Sequence, residues 1–354
     1  MPSPQLSTAQ DKQVVGVLGS GSFGVTISKL LAHNVDVLLY TRRDSVIESI
    51  NERHHHYGMD LSPRITATKD LAEIGRRCQL MFPVVPSSVF RKLMQTASPH
   101  LRPSHILIHC TKGLDISSIS KEDFDKGNFD RRSVCTMSEV ISQETNVLRV
   151  GCLSGPNLAR EILDGQPAAT VIASEFTEVM RKGQEVLTSE NFFTFGSHDI
   201  KGAELAGAYK NIIAVASGTL GGLGLGKNIQ ALLITRGLRE MIQFGMALGT
   251  TSAAFLGTAG IGDLIATATS DNSRNYTFGK RLAGGESVED ILSTSDEVVE
   301  GLRTLKIVYF LSQQEQLRSP IITMLYRVIF EGYDLKAAIR FLMSYKYAKD
   351  VDWI

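Results

Sequence analysis

Apolar residues fall in short unbroken runs through the first part of the chain and in long helical periods after it. VVGVLG (14–19), VDVLLY (35–40), RITATKD (64–70), LMFPVVP (80–86) and HILIHC (105–110) read as strands, separated by amphipathic stretches of helix length. GCLSGP, ATVIAS and FFTFG add three short strands up to residue 196. Strands alternating with helices predict βαβ units and a parallel sheet. From HDIKGAELAGAYKN onward the strand signal fades, and helical patterns cover 200–217, 228–248, 275–283, 287–293, 300–314 and 319–328. This predicts an α/β domain over 1–197 and an all-helical domain over 198–354, packed closely around a cleft.

The first strand runs into Gly19-Ser20-Gly21-Ser22-Phe23-Gly24, a GxGxxG that opens a helix. In that context the pattern predicts a Rossmann-type dinucleotide site, with pyrophosphate over the helix N-terminus. An acidic residue after the second strand would favour NAD by binding its ribose hydroxyls. This chain has Arg42 and Arg43 before Asp44, so a 2′-phosphate is permitted; two solvated arginines at a helix start are the plainer alternative. The expected cofactor is NADP or NAD. A second glycine cluster, GGLGLGKN (221–228), has GxxxxGK register, but Asn228 stands where Ser or Thr should ligate magnesium, and a loop between helices fits better.

With 354 residues, two domains are the default. Formal net charge is zero, which argues against general affinity for nucleic acid or anionic membrane and leaves small molecules as partners. Cys78, Cys110, Cys135 and Cys152 form no CxxC pair, a usage suited to a reducing cytosol and offering no zinc site. The polar start MPSPQLSTAQDKQ lacks a signal-peptide core, and no run approaches the roughly 18 apolar residues of a membrane span. The expectation is a cytoplasmic protein. Oligomeric state stays open, with an apolar helical domain making a homodimer plausible. The triple histidine at 54–56 lacks acidic or cysteine companions at ligand spacing, so a solvated helix end or loop is favoured over a metal.

Within ELAGAYKN, Lys210 has Ala206, Gly207, Ile213 and Ala214 as neighbours one helical turn away, and no carboxylate among them. An unpaired buried ammonium is costly and needs a reason. Lys112 in CTKGLD follows a strand, at the sheet edge where ligands of open α/β sheets bind, although an ordinary strand-end lysine reads equally well. In SGPNLARE, Gly155 and Pro156 dictate a turn and Asn157 is a candidate helix cap. Asp263 lies in a glycine turn among apolar residues, and Ser273 is a candidate N-cap for a helix beginning with Arg274 and Asn275. Backbone N–H groups, a guanidinium and an amide at one helix start suit a phosphate, with simple capping as the alternative.

Taken in order, GSGSFG, VPSSVFR, CTKGLD, SGPNLARE, ELAGAYKNIIAVASG, ALLITRGLREM, GIGDL, SRNYTFG and EVVEG resemble the bacterial-type glycerol-3-phosphate dehydrogenases that use NAD(P), from Val14 to about Arg340. The resemblance implies interconversion of dihydroxyacetone phosphate and glycerol 3-phosphate, and a role in supplying phospholipid precursors. It puts Lys210 on the general acid/base. It puts Lys112, Gly155, Asn157, Lys210, Asp263, Ser273, Arg274 and Asn275 at the substrate. Gly19 to Gly24, Arg42, Arg43, Lys112, Asn157, Ala159, Arg274, Val298 and Glu300 fall to the cofactor. Departures occur at GPNLA, where the family usually has Thr or Ser in place of Asn157, at TATS (267–270), and at ERHHHYGMDLSP. The rival readings are a dehydrogenase of 3-hydroxyacids or ketopantoate, which needs a carboxylate site in place of SRN, and a nucleotide-sensing protein without turnover.

Overall fold

The computed structural model describes residues 13–295 and 299–345. The first unit begins with β1 (Val14–Leu18), α1 (Ser22–Leu31), β2 (Asp36–Tyr40) and α2 (Asp44–Arg53), followed by a hairpin of β3 (His55–His56) and β4 (Met59–Asp60). It continues through β5 (Ile65–Thr68), α3 (Leu71–Arg77), β6 (Leu80–Pro83), α4 (Ser87–Ala97), β7 (Ile106–His109), α5 (Lys121–Lys126) and α6 (Met137–Glu144). The strands β8 (Arg149–Ser154), β9 (Ala168–Ala173) and β10 (Phe192–Ser197) close the sheet, with α7 (Ala159–Leu163) and α8 (Thr177–Leu187) between them. The second unit holds α9 (Ile200–Gly222), α10 (Lys227–Ala247), α11 (Ala253–Leu256), α12 (Asp263–Ala268) and α13 (Arg274–Ala283). It ends with α14 (Val288–Ser293), α15 (Glu300–Gln314), α16 (Pro320–Phe330) and α17 (Leu335–Ser344).

The large sheet has eight strands in the order β10-β9-β8-β7-β6-β1-β2-β5. Helices cover both faces, so the central strands are buried on both sides and their sequences run apolar without alternation, as in β1 and β7. The strand order reverses between β1 and β6, and the glycine turn after β1 sits at that switch point, where α/β sheets bind ligands. The expected all-parallel sheet fails at one place: β9 runs antiparallel to β8. The link between them carries only the five-residue α7, about 7.5 Å of helix against about 20 Å for the six-residue β8, so no helix carries the chain back along the strand as a parallel crossover needs.

In the helical unit, α9 is buried from Gly202 through Leu220, so it is the central helix with neighbours on every side. Gly218 and Gly279 let α13 lie against it: a Cβ on Gly218 would stand 2.0 Å from the Tyr276 carbonyl oxygen, and one on Gly279 2.0 Å from that of Val215. The core around α9 also takes in Leu114, Ile116 and Phe129 from the first unit. Each large side chain buried there, such as Tyr209, Phe255 or Phe278, contributes about 1.5–3 kcal/mol through removal from water. Polar ties cross between the units as well. The buried Glu204 of α9 accepts from Ser138 N and Oγ and meets His109 Nε2 of β7 at 2.8 Å. No helix among the described residues is long and apolar enough to cross a membrane.

Candidate active site

Lys210 is buried, with 5% of its surface exposed, because it lies on the central helix. Its Nζ donates to Asp263 Oδ1 at 2.6 Å and to Thr267 Oγ1 at 2.5 Å. Both acceptors come from α12, where Asp263 and Thr267 stand one turn apart on the same face. The other oxygen of Asp263 accepts from Lys112 Nζ at 2.6 Å, and Lys112 also donates to the Gly155 carbonyl at 2.9 Å. Lys112 follows β7 and Gly155 follows β8, so two carboxyl ends of the sheet meet α9 and α12 at a single carboxylate. Asp263 is 1% exposed.

Two ammoniums therefore share one carboxylate inside the protein. Burial lowers the Lys210 pKa to about 7; Asp263 opposes that fall, and the nearby Lys112 ammonium adds to it. A lysine with this proton affinity both gives and takes a proton near neutrality. Ser154 Oγ, which lies against Gly207 of α9, and Asn157 Oδ1 after the same strand are buried and have no hydrogen-bond partner among the described residues. Orphaned polar atoms of this kind point to a ligand.

Several expectations are corrected here. Asn157 does not cap α7, whose N-cap is Leu158; its amide donates instead to Thr170 Oγ1, and this leaves its carbonyl oxygen free. Asp263 does not sit within the glycine turn but directly after it. Thr258–Gly262 wind into a π-helical turn and Asp263 starts α12, which aims its carboxylate inward. Ser273 is an N-cap, accepting from Tyr276 N. Arg274 is exposed at the start of α13. The side chain of Asn275 is turned inward: its Nδ2 donates to Asn211 Oδ1, and its Oδ1 accepts from Gly301 N, each at 3.0 Å. That bond to Asn211, the neighbour of Lys210 in sequence, fixes the α13 N-terminus against the lysine turn.

At the cofactor end, Gly19 has φ +130 and lies so near the end of β6 that an added Cβ would stand 2.3 Å from the Val84 carbonyl oxygen. Among the described residues nothing lies within 4 Å of a Cβ on Gly21, and α1 begins there with no side-chain cap and no acidic residue in its first turn. A helix start that leaves room over its glycine fits a pyrophosphate. Ser22 is the first residue of α1, and Phe23 packs partly buried on the sheet core. Arg42 is exposed, whereas Arg43 donates to Ser20 Oγ at 3.3 Å. The buried Thr41 accepts from Ser20 Oγ at 2.8 Å. Ala159 is the first residue of α7. Glu300 accepts from Ser87 N and Oγ at 2.9 and 2.7 Å, joining α15 to the N-terminus of α4. Val298 lies outside the described residues.

Thr267, Asn211, Ser154, Ser87 and Thr41 escaped the sequence reading. Only Thr267 left a trace there, four positions after Asp263 in a helical stretch.

The chain matches the model described as NAD-dependent glycerol-3-phosphate dehydrogenase N-terminus over residues 14–180, and the corresponding C-terminus model over 199–340. It belongs to this family. The glycerol-3-phosphate dehydrogenase [NAD(P)+] of Saccharophagus degradans is 37% identical over 346 residues, covering 96% of this chain and 92% of the relative. That of Pseudomonas aeruginosa is 36% identical, covering 97% of this chain and 98% of the relative. The crystal structure of the Coxiella burnetii glycerol-3-phosphate dehydrogenase superposes with a TM-score of 0.83 at 27% identity, covering 94% of this chain and 99% of that one. A ketopantoate reductase from Ralstonia eutropha shares the fold at 13% identity and a TM-score of 0.55, over 90% of this chain and 97% of that one. The family chain in hand is accordingly an NAD(P)-dependent oxidoreductase.

Proposed function

We propose that the chain interconverts dihydroxyacetone phosphate and sn-glycerol 3-phosphate, with Lys210 as the general acid and base. The carrying observation is the buried Lys210 ammonium, which shares Asp263 with Lys112 where the sheet edge meets the central helix. Bound NAD(P)H supplies the hydride. As the ketone is reduced its oxygen becomes negative, and Lys210 stabilises that charge and gives up its proton; in the oxidation, neutral Lys210 takes the hydroxyl proton. Asp263 holds the ammonium in place and Lys112 keeps it acidic. The substrate hydroxyls face Asn157 Oδ1 and Ser154 Oγ, whose buried hydrogen-bonding capacity is unused.

In this reading the phosphate rests at the start of α13. Arg274 and the backbone N–H groups bind it, while Ser273 and the Asn275 side chain hold the helix in position. Binding energy collected there positions the carbonyl. Thr41 occupies the end of β2, where an acid would favour NAD, and Arg43 lies beside it, which supports a preference for NADP. Glu300 acts through Ser87 at the nicotinamide side, and Gly155 and Ala159 border the same cleft. The reading divides the chain at 197/198, between the end of β10 and the start of α9. It places the protein in the cytoplasm, consistent with four buried free cysteines, as a homodimer supplying precursor for phospholipids.

Lys210→Ala tests the core of the proposal. Cofactor binding should persist while kcat falls by about two to four orders of magnitude. Near-normal turnover would reject the acid/base role. Screening keto acids, ketopantoate included, against dihydroxyacetone phosphate with NADPH and NADH separates this function from its carboxylate-binding rival.

A further inference from the structure

The triple histidine has no part in the chemistry above; it runs from the end of α2 into a tight hairpin. His54 caps α2 in the left-handed region at φ 46. His55 and His56 then pair antiparallel with Asp60 and Met59 across a two-residue turn, Tyr57 and Gly58, with φ 52 and 70. Positive φ at both central residues is the type I′ geometry whose twist suits a tight hairpin. The hairpin folds back toward the glycine turn, and His56 Nε2 lies 3.3 Å from the Ser20 carbonyl oxygen. Arg43 reaches the same carbonyl at 3.5 Å. His56 and Arg43 therefore converge on the residue between the first two glycines of the motif.

Carboxylates nearby are already engaged: Asp44 holds Lys69 at 2.7 Å, and Asp60 holds His55 at 3.1 Å. Beside the Asp44–Lys69 pair, the described residues bring two hydroxyls, Ser20 and Thr41, the guanidiniums of Arg42 and Arg43, and the His56 imidazole to the end of β2. That composition suits an anion.

We propose that His56 is a specificity-determining residue of the cofactor site, binding the adenosine 2′-phosphate of NADP together with Arg42 and Arg43. This rests on the NADP preference argued above and adds a proton to it. In the free protein, burial lowers the His56 pKa; its hydrogen bond to Ser20 opposes this, while Arg43 across the turn and His55 on its own strand reinforce it. His56 is thus neutral at pH 7. A 2′-phosphate brings close to two negative charges, with a second pKa of about 6, and favours the imidazolium. NADP binding then takes up a proton at His56, and NAD binding does not.

Calorimetric titration of the full chain with NADPH and NADH at pH 7, in two buffers of different ionisation enthalpy, reads both affinity and proton count. Wild type should take up protons with NADPH and none with NADH. His56→Gln should lose that uptake and bind NADPH about three- to tenfold more weakly, roughly the net size of one hydrogen bond, with NADH binding unchanged as evidence of an intact site. Unaltered proton uptake in the variant, or equal weakening toward both cofactors, would overturn the assignment. A wild type that binds NADPH no more tightly than NADH, with Arg43→Ala without effect, would remove the arginines and His56 from the phosphate site together. An NADPH-selective protein indifferent to His56→Gln would remove His56 alone.

Discussion

Replacing Asp263 with Asn should move the pH dependence of ketone reduction without unfolding the protein. Each Asp263 oxygen lies 2.6 Å from an ammonium, Oδ1 from Lys210 and Oδ2 from Lys112. An opposite charge at such range raises a lysine pKa by about 1–3 units. Without it, the Lys210 pKa falls from about 7 toward roughly 5, taking two units for the missing partner. The protonated fraction at pH 7 drops from about one half to about one in a hundred, so reduction slows about fiftyfold at that pH. Removing one partner of a buried ion pair usually costs about 3–5 kcal/mol, because the other charge is stranded. Lys210 already titrates near neutrality, so here it sheds its proton instead and most of that penalty is avoided. The assay is decay of NADPH absorbance with dihydroxyacetone phosphate between pH 5 and 9 (an experimental range of about four units), with kcat/KM extracted at each pH, since that ratio reports the free enzyme's proton affinities. In wild type, kcat/KM for reduction should fall above about pH 7, as the proton donor is lost; in Asp263→Asn the fall should begin about two units lower, with activity partly recovered in acid. A uniform drop with the same alkaline limb would show that Asp263 does not set the proton affinity of Lys210, and the reasoning would fail.

Arg274→Ala should mainly raise KM for dihydroxyacetone phosphate and lower kcat less, since phosphate contact positions the substrate; unchanged kinetics would put the phosphate elsewhere. The stability of the free enzyme should depend on Lys210. Its folded pKa of about 7 lies below its ordinary value of 10.5, so between those limits the unfolded chain holds more protons and stability rises with pH. The slope from this group is at most about 1.4 kcal/mol per pH unit, and melting curves of wild type against Lys210→Met from neutral pH upward should show it only in wild type. Gly279→Ala drives a Cβ into the Val215 carbonyl and must push α13 from α9; a loss of about 1–3 kcal/mol in chemical denaturation with a raised KM is expected, and an unaffected KM would detach the α13 start from substrate binding.

The parts of this protein that were legible in its sequence are those that local chemistry decides. Gly19 and Gly24 are required by close backbone approach, Gly21 keeps the space over the start of α1 open, and Ser273 caps the helix it precedes. The helix starts expected at 200, 228, 275 and 300 lie within one residue of those observed, because they follow apolar periods that need no distant partner. What stayed hidden is non-local. Lys210 and Asp263 are 53 positions apart, and only the winding of Thr258–Gly262 into a π-helical turn sets the carboxylate against the lysine. The sequence raised the cost of a buried ammonium and the cost of a buried carboxylate as two separate puzzles, and packing makes each the answer to the other. The reversal of β9 was hidden for a related reason, since strand direction depends on the length of a link and not on the strand's composition. His56 shows the limit most clearly. Three adjacent histidines look like a solvated tract until a hairpin with positive φ at Tyr57 and Gly58 turns one of them onto Ser20. The division of labour in the fold follows from the same contrast. Phosphate cradles are made of backbone and can be written in a short local motif. Proton transfer needs a side chain whose affinity is tuned by its surroundings, and that tuning comes from a second unit folded against the first.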